Sequence, residues 1–329
     1  MSTAAATSGN SADVAALVGR ARHGQHRAIA QLISLVENES AASRAIAEHL
    51  SPDVGRAHVI GLTGAPGVGK STTTSSLIDG YRAQGKRVAV LAIDPSSPFT
   101  GGALLGDRIR MGAHATDQCV FIRSMSSRGQ LGGLAAATPQ AVRVLDAAGF
   151  DIVLVETVGV GQAEIDIAGL ADSTIVLVAP GMGDGIQAAK AGIIEIADLF
   201  VVNKADRDGA ARTVRELRSA IGYTPPSDSD SWVRPVISAS ALNSTGIDQI
   251  VVALADHRRW LSHGDRLRIR RERRSATEIT ALVLTEVKRL LDSGSQATVT
   301  SELAKAVAAG SLDPFGAADQ LLKEMGVSS

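Results

Sequence analysis

Three textures of apolar and polar positions follow one another along the chain. From Asp13 to about Leu50 the apolar residues recur at helical spacing: Val14, Leu17, Val18, then Ile29, Leu32, Ile33, Val36, then Ile46 and Leu50. That spacing predicts a small helical segment packed on something larger. Asp13 is the expected N-cap of the first helix, because the residues before it are small and polar, with little to bury, and are expected to be mobile. Ser51-Pro52 ends the pattern.

From His58 the texture changes to short runs rich in Val and Ile, flanked by Gly, Pro or Asp. They are Val59–Leu62, Val88–Ile93, Val120–Ile122, Ile152–Val155, Thr174–Val178, Leu199–Val202 and Val236-Ile237. Such runs suit strands buried on both faces. Their alternation with helical stretches predicts an α/β fold with a mostly parallel sheet and right-handed crossovers. Ligands of these sheets sit beyond the carboxyl ends of the strands, so the loops after each run are where chemistry is sought.

After about Ser262 the pattern is helical again. Ile269, Ala276, Ile279, Leu282, Val283, Val287 and Leu290 form one stripe, and Leu303, Val307, Leu321 and Leu322 belong to a second stretch. These stretches lack the bulk for a core of their own. They are expected to pack on the sheet or on a second copy of the chain.

Composition narrows the reading. Among 329 residues, 45% are hydrophobic and 20% charged, so a sizeable core is available. Five Phe, two Trp and two Tyr make that core aliphatic, and the 33 glycines must serve turns or close backbone approaches. A net charge of −1 provides no field for nucleic acid or acidic lipid, and no uninterrupted apolar run is long enough to span a membrane. Cys119 is the single cysteine, which excludes an intramolecular disulfide framework and a cysteine-rich zinc site. The start lacks the basic and then apolar pattern of a secretory signal, so a cytoplasmic protein is expected.

Gly64-Ala65-Pro66-Gly67-Val68-Gly69-Lys70-Ser71 fits the phosphate-binding pattern GxxxxGK[ST], between a strand-like run and the helix-like stretch that opens at Thr72. Backbone N–H groups of such a turn converge on phosphate oxygens beside the positive end of the helix. Lys70 would bridge the β- and γ-phosphates, and the Ser71 hydroxyl would ligate Mg²⁺. About 130 residues later, Asn203-Lys204-Ala205-Asp206 follows a buried run and fits NKxD. An Asp there accepts from guanine N1–H and the N2 amine; adenine offers neither donor, so the carboxylate would be left unpaired. Asn203 would brace the loop and the Lys204 stem would cover the base. Ser240-Ala241-Leu242 fits the second guanine-contacting segment, where a backbone N–H meets the base oxygen.

Asp94 and Glu156 close two apolar runs, at strand ends where Mg²⁺ is held directly or through water. Glu156-Thr157-Val158-Gly159 stands where many nucleotide hydrolases carry DxxG, and Asp107 in the polar loop between strands could complete the metal shell. Gly159, Gly161 with Gln162, and Gly181, Gly183 and Gly185 make glycine-dense loops of the kind that order on a γ-phosphate. The basic run Arg266, Arg268, Arg270, Arg271, Arg273, Arg274 has no interleaved aromatics and reads as a solvated or subunit-facing helix side. The seven histidines form no metal-ligand string, and His23 and His26 are expected at the surface.

The strings GAPGVGKST, AIDPSSPFTGGALLGDRIRM, SSRGQLGG, AAGFDIVLVETVGVGQAE and VVNKAD make the chain, from about residue 14 to its end, resemble the MeaB-like GTPases, also called ArgK-type. Members of that family act as chaperones of the cobalamin enzyme methylmalonyl-CoA mutase. The resemblance implies a P-loop GTPase domain over residues 56–262, an N-terminal helical extension over 1–55 and a C-terminal helical dimerisation arm over 263–329. It implies phosphate and Mg²⁺ roles for Lys70, Ser71, Asp94, Asp107 and Glu156, and guanine roles for Asn203 and Asp206. Residues 181–190 match a third switch of the family, with Asp184 and Lys190 at functional positions, although GDGIQ stands where GDELQ is usual.

The expected function is therefore a Mg²⁺-dependent GTPase, holding GTP or GDP, that gates cobalamin loading and protection of that mutase or a related one. Slow intrinsic turnover is expected, with Gln162 or Lys190 assisting Lys70 and Glu156. The ArgK-type name implies an alternative, a kinase or ATPase of a lysine/arginine/ornithine transport system. A nickel-inserting GTPase is a third reading, against which the missing Cys/His string argues.

Overall fold

The computed structural model of the chain describes residues 3–38, 40–94, 112–126, 137–157, 163–181, 194–222 and 231–326. By compactness these fall into two units, Met1–Arg271 and Glu272–Ser329.

The first unit opens with helices α1 (Thr3–Arg22), α2 (His26–Glu37) and α3 (Ser43–Leu50). Strand β1 (His58–Thr63) then leads through the phosphate-loop sequence into α4 (Lys70–Ala83). Next come β2 (Val88–Asp94), β3 (Val120–Ser126), α5 (Thr138–Ala147), β4 (Ile152–Glu156), α6 (Ala163–Leu170) and β5 (Ser173–Val178). The unit is completed by β6 (Leu199–Val202), α7 (Ala210–Ala220), β7 (Val236–Ser238), α8 (Ile247–Ser262) and the start of α9 (Arg266–Leu291). All seven apolar runs are strands. They form one sheet in the order β3-β2-β4-β1-β5-β6-β7, with every neighbouring pair parallel. β1 therefore lies at the centre, between β4 and β5, and its carboxyl end delivers the phosphate loop to the middle of the sheet edge.

Alternating residues of each strand face opposite layers. Val59, Ala89, Leu91, Val153 and Val155 share one apolar layer with α1, α2, α3, α5 and α6. Ile60, Leu62, Val90, Leu154 and Ile175 share the other with α4 and α8. The N-terminal helices thus cover one face of the sheet with Ile29, Leu32, Ile33 and Ile46, all fully buried. α1 begins at Thr3, so Asp13 lies within it and is not its N-cap. Alanine has the highest helix propensity of any residue, and Ala4, Ala5, Ala6 and Ala12 lie in the part of the helix ahead of Asp13.

The amino ends of the central strands carry a buried polar belt. Asp146 accepts the backbone N–H groups of Gly55, Arg56 and Ala57 at 2.5, 3.1 and 2.9 Å, fixing the entry into β1. Ser173 Oγ lies 2.7 Å from His58 Nε2 and 2.7 Å from His257 Nδ1. Asp172 accepts from Arg258 at 3.0 Å and from Arg271 at 2.8 and 3.1 Å. Asp198 accepts both terminal nitrogens of Arg270, at 3.1 and 2.9 Å. Arg266 stacks over Trp260, 4.7 Å from its ring centre. The basic run is therefore not a solvated side throughout: Arg270 and Arg271 hold the start of α9 to the sheet, because Asp172 and Asp198 carry charge into a buried edge and must be paired there, while Arg266 packs on Trp260 of α8. His26 also departs from expectation. It is half-buried, packs edge-on against Phe121 at 5.5 Å and contacts the Gln118 carbonyl at 3.2 Å.

In the second unit, helices α10 (Gly294–Ala308) and α11 (Pro314–Glu324) follow the remainder of α9. Asp313 caps α11 by accepting from the N–H of Phe315 and Gly316 at 2.9 and 3.0 Å. None of the described residues in this unit is buried, and Ile279, Leu282, Val283, Leu284 and Phe315 are exposed.

Candidate functional site

The carboxyl ends of β1, β4 and β6 bring together the sequence motifs. The turn from β1 to α4 needs glycine for two separate reasons. Gly64 has φ 139°, and a Cβ there would run into the Leu177 carbonyl of β5. Gly69 has φ 97°, and a Cβ there would collide with the Asn203 amide. Between them Ala65, Pro66 and Gly67 lie toward the surface while Val68 is buried in the α4–α8 layer. The Lys70 ammonium donates to the carbonyls of Gly64 and Ala65, at 2.7 and 3.2 Å, so the loop curls around its own lysine.

Glu156, at the end of β4, lies in register with Leu62 of β1 and Ala92 of β2 and is only 3% exposed. Its Oε1 accepts from the Ser71 hydroxyl at 2.6 Å and its Oε2 from the Thr74 hydroxyl at 2.8 Å. Hard oxygen donors at the end of a parallel strand, beside a phosphate loop, are the set that suits Mg²⁺, which takes few protein ligands and keeps phosphate oxygens and waters. Among the described residues no group of three or more His, Cys, Asp or Glu is placed to hold a metal. Mg²⁺ held mainly by Ser71, phosphates and water needs no such group, so the residues present fit that ion. Asp94 closes β2, which lies beside β4. The Asp94 side chain and the whole of Asp107, Gly159, Gly161, Gln162, Gly183, Asp184, Gly185 and Lys190 lie outside the described residues.

The segments after β6 and β7 meet the phosphate-loop sequence through Asn203. Its amide donates from Nδ2 to the Val68 carbonyl at 2.8 Å, and its Oδ1 accepts the Ala241 N–H at 3.0 Å. Lys204 holds a left-handed conformation, φ 57°, and its ammonium reaches the Gly67 carbonyl at 2.7 Å. Asp206 is exposed, and Ser240 donates its hydroxyl to Oδ1 at 2.5 Å. That hydrogen bond, followed by the backbone N–H of Asp206, holds the carboxyl below the usual aspartate range, so it is ionised and ready to accept. Leu242 is 81% exposed, two residues after this carboxylate's hydroxyl partner in sequence. Thr72 is exposed at the first turn of α4.

The structure thus gathers Gly64 to Thr72, Glu156, Asn203 to Asp206 and Ser240 to Leu242 into one region. One feature was not singled out from the sequence: Thr74 is the second donor to Glu156. The i, i+3 spacing of Ser71 and Thr74 on one face of α4 was the available signal. Asn203, expected to brace its own loop, also ties that loop to the phosphate loop.

Known proteins resemble the chain over most of its length. Residues 29–296 match the family model described as methylmalonyl Co-A mutase-associated GTPase MeaB. A relative from Pyrococcus abyssi that carries the name GTPase is 45% identical over 314 residues, 94% of this chain and 96% of the relative. GTPase ArgK of Escherichia coli is 38% identical over 272 residues, covering 81% and 82%. Among solved structures, one of a LAO/AO transport system kinase superposes with TM-score 0.70 at 29% identity, covering 96% of this chain and 98% of that one.

Proposed function

The chain belongs to the MeaB family of GTPases, and from that premise we propose that it is a Mg²⁺-dependent switch acting on methylmalonyl-CoA mutase or a related cobalamin-dependent mutase. In its GTP form it gates cobalamin loading and protection of that partner in the cytoplasm, and slow hydrolysis ends the state. The observation that carries the nucleotide part of the reading is the Asn203 bridge. One side chain holds the phosphate loop and the Ser240–Leu242 segment at a fixed spacing, the spacing a nucleotide must span. The mutase part is supported by the association for which the matched family is named.

Lys70 exchanges its two carbonyl acceptors for phosphate oxygens, and Gly64 to Thr72 present backbone N–H groups to them. Ser71 and Glu156, with Asp94 and Asp107, would hold Mg²⁺, and the ion would supply positive charge to offset that of the phosphates. Asp206 reads guanine, Ser240 orients Asp206, and Asn203, Lys204, Ala241 and Leu242 frame the base. Gln162 and Lys190 assist hydrolysis once the partner is engaged. The exposed apolar residues of α9 and α11, Phe315 at 85% exposure among them, support a homodimer through the C-terminal arm, residues 263–329.

Capture of the mutase with and without a non-hydrolysable GTP analogue tests the switch: nucleotide-dependent capture is expected. Capture indifferent to nucleotide overturns it, as does turnover on the order of tens per second by the isolated chain. Incubation with γ-labelled GTP and transport-system acceptors should release free phosphate only; label retained on an acceptor would instead favour the kinase reading, which the name of the similar solved protein suggests.

A further inference from the structure

Thr73 turns its hydroxyl back to the Gly69 carbonyl one turn earlier on α4, at 3.0 Å, as such residues ordinarily do in helices. Thr74 differs. Its Oγ1 lies 3.1 Å from the Lys70 carbonyl but also 2.8 Å from Glu156 Oε2, across to the end of β4. One hydroxyl carries one proton, and the charged, buried acceptor takes it.

Glu156 therefore receives two hydroxyl donors from one helix face, Ser71 on Oε1 and Thr74 on Oε2. A donor on one oxygen restrains a carboxylate less than a donor on each, because its last torsion is broad and roughly two-fold. With a donor on each oxygen its plane is set. The Ser71 hydroxyl can offer a lone pair to a cation while its proton stays on Oε1, so the orientation of Glu156 fixes the direction of that lone pair. Thr74 is fully buried and has no place at the surface of the site.

We propose that Thr74 is a positioning residue for Mg²⁺: it locks Glu156 so that Ser71 presents its lone pair to the ion in the bound state. The inference rests on the nucleotide and Mg²⁺ reading above and adds a residue that itself touches neither ligand. Removal of a partner that orients a metal-site group costs on the order of 10–100-fold in metal affinity.

The test follows dissociation of a fluorescent GDP from the full-length chain as Mg²⁺ is titrated, with Thr74→Val and Thr74→Ser beside the wild type. Thr74→Val keeps the shape and removes the donor. It should leave dissociation without Mg²⁺ unchanged and raise the Mg²⁺ concentration for half-maximal retention by about tenfold. Thr74→Ser restores the donor and should return that concentration to within about twofold of wild type. A wild-type Mg²⁺ titration in Thr74→Val overturns the proposal. So does equal loss of retention with and without Mg²⁺, or a Thr74→Ser variant no better than Thr74→Val. If the wild type itself retains GDP with no response to Mg²⁺, the Mg²⁺ reading falls first and this inference falls with it.

Discussion

Asn203 Nδ2 donates to the carbonyl of Val68 at 2.8 Å, so one side chain ties the loop after β6 to the loop after β1. The same amide accepts from Ala241, and all three residues are buried. Asn203→Ala strands a buried carbonyl and a buried N–H, at about 1–3 kcal/mol for each group left unpaired. Thermal melting should fall by several degrees. Affinity for GTP and GDP should fall together, since the bridge serves base and phosphates alike. A variant that melts as the wild type and binds both nucleotides normally would refute the bridge.

Lys70→Ala should abolish tight binding of GTP while leaving the fold intact. The Lys70 ammonium donates to two carbonyls of its own loop, and its removal leaves those carbonyls at a turn where Ala65 is only partly covered. Circular dichroism should match the wild type, and nucleotide titration should show at least about a hundredfold loss, as expected when a charge-assisted phosphate contact goes. Retained affinity would mean that the turn binds no phosphate.

Asp206→Asn should shift the base preference. Ser240 donates to Oδ1 and lowers the carboxyl, so the wild-type group is a pure acceptor for the N1–H and N2 amine of guanine. An amide replaces one acceptor with a donor, matching the extra oxygen of xanthine. GTP affinity should drop by about 10–100-fold and xanthosine triphosphate should gain by a similar factor. Unchanged GTP affinity would remove Asp206 from base recognition.

The sheet was legible because strands buried on both faces leave continuous Val and Ile runs, and the phosphate loop because its glycines answer steric demands, as at Gly64 and Gly69. The beginning of α1 was missed because an alanine-rich stretch can form helix with nothing to bury. The polar belt was illegible for a different reason. His58, Ser173, Asp198 and His257 are far apart in sequence, and it takes the parallel pairing of β1, β5 and β6, with α8 packed on them, to bring the four together. Arg270 and Arg271 looked like surface charge because a run of arginines carries no mark of the buried aspartates it will meet. Thr74 was hidden among back-bonding hydroxyls, since its acceptor sits 82 residues later in the chain.

That belt makes stability depend on pH in a definite direction. Ser173 has one hydroxyl proton between His58 Nε2 and His257 Nδ1, so it donates to one ring and accepts from the other. His257 Nε2 lies 3.4 Å from Asp198 Oδ1, and a proton on that nitrogen avoids two facing acceptors. Hence His58 Nε2 donates to Ser173, Ser173 donates to His257 Nδ1, and both rings are neutral. Burial drives the His58 pKa down to about 3 and that of His257 to about 4, the latter against the pull of Asp198. Both lie below the unfolded value of about 6.5, so between that value and about 4 the unfolded chain binds protons that the folded chain does not. Stability is therefore full above about pH 6.5 and falls by a few kcal/mol as pH drops through this window. Trp232 packs on His257 at 4.7 Å and Trp260 at 5.6 Å, so tryptophan fluorescence reads the belt directly. Denaturant melts at pH 7 and pH 5 should differ by that amount, and His257→Gln should flatten the dependence by removing one of the two titrating groups. A stability profile level from pH 7 to pH 5, or one that rises toward acid, would show that these histidines are already charged in the folded state.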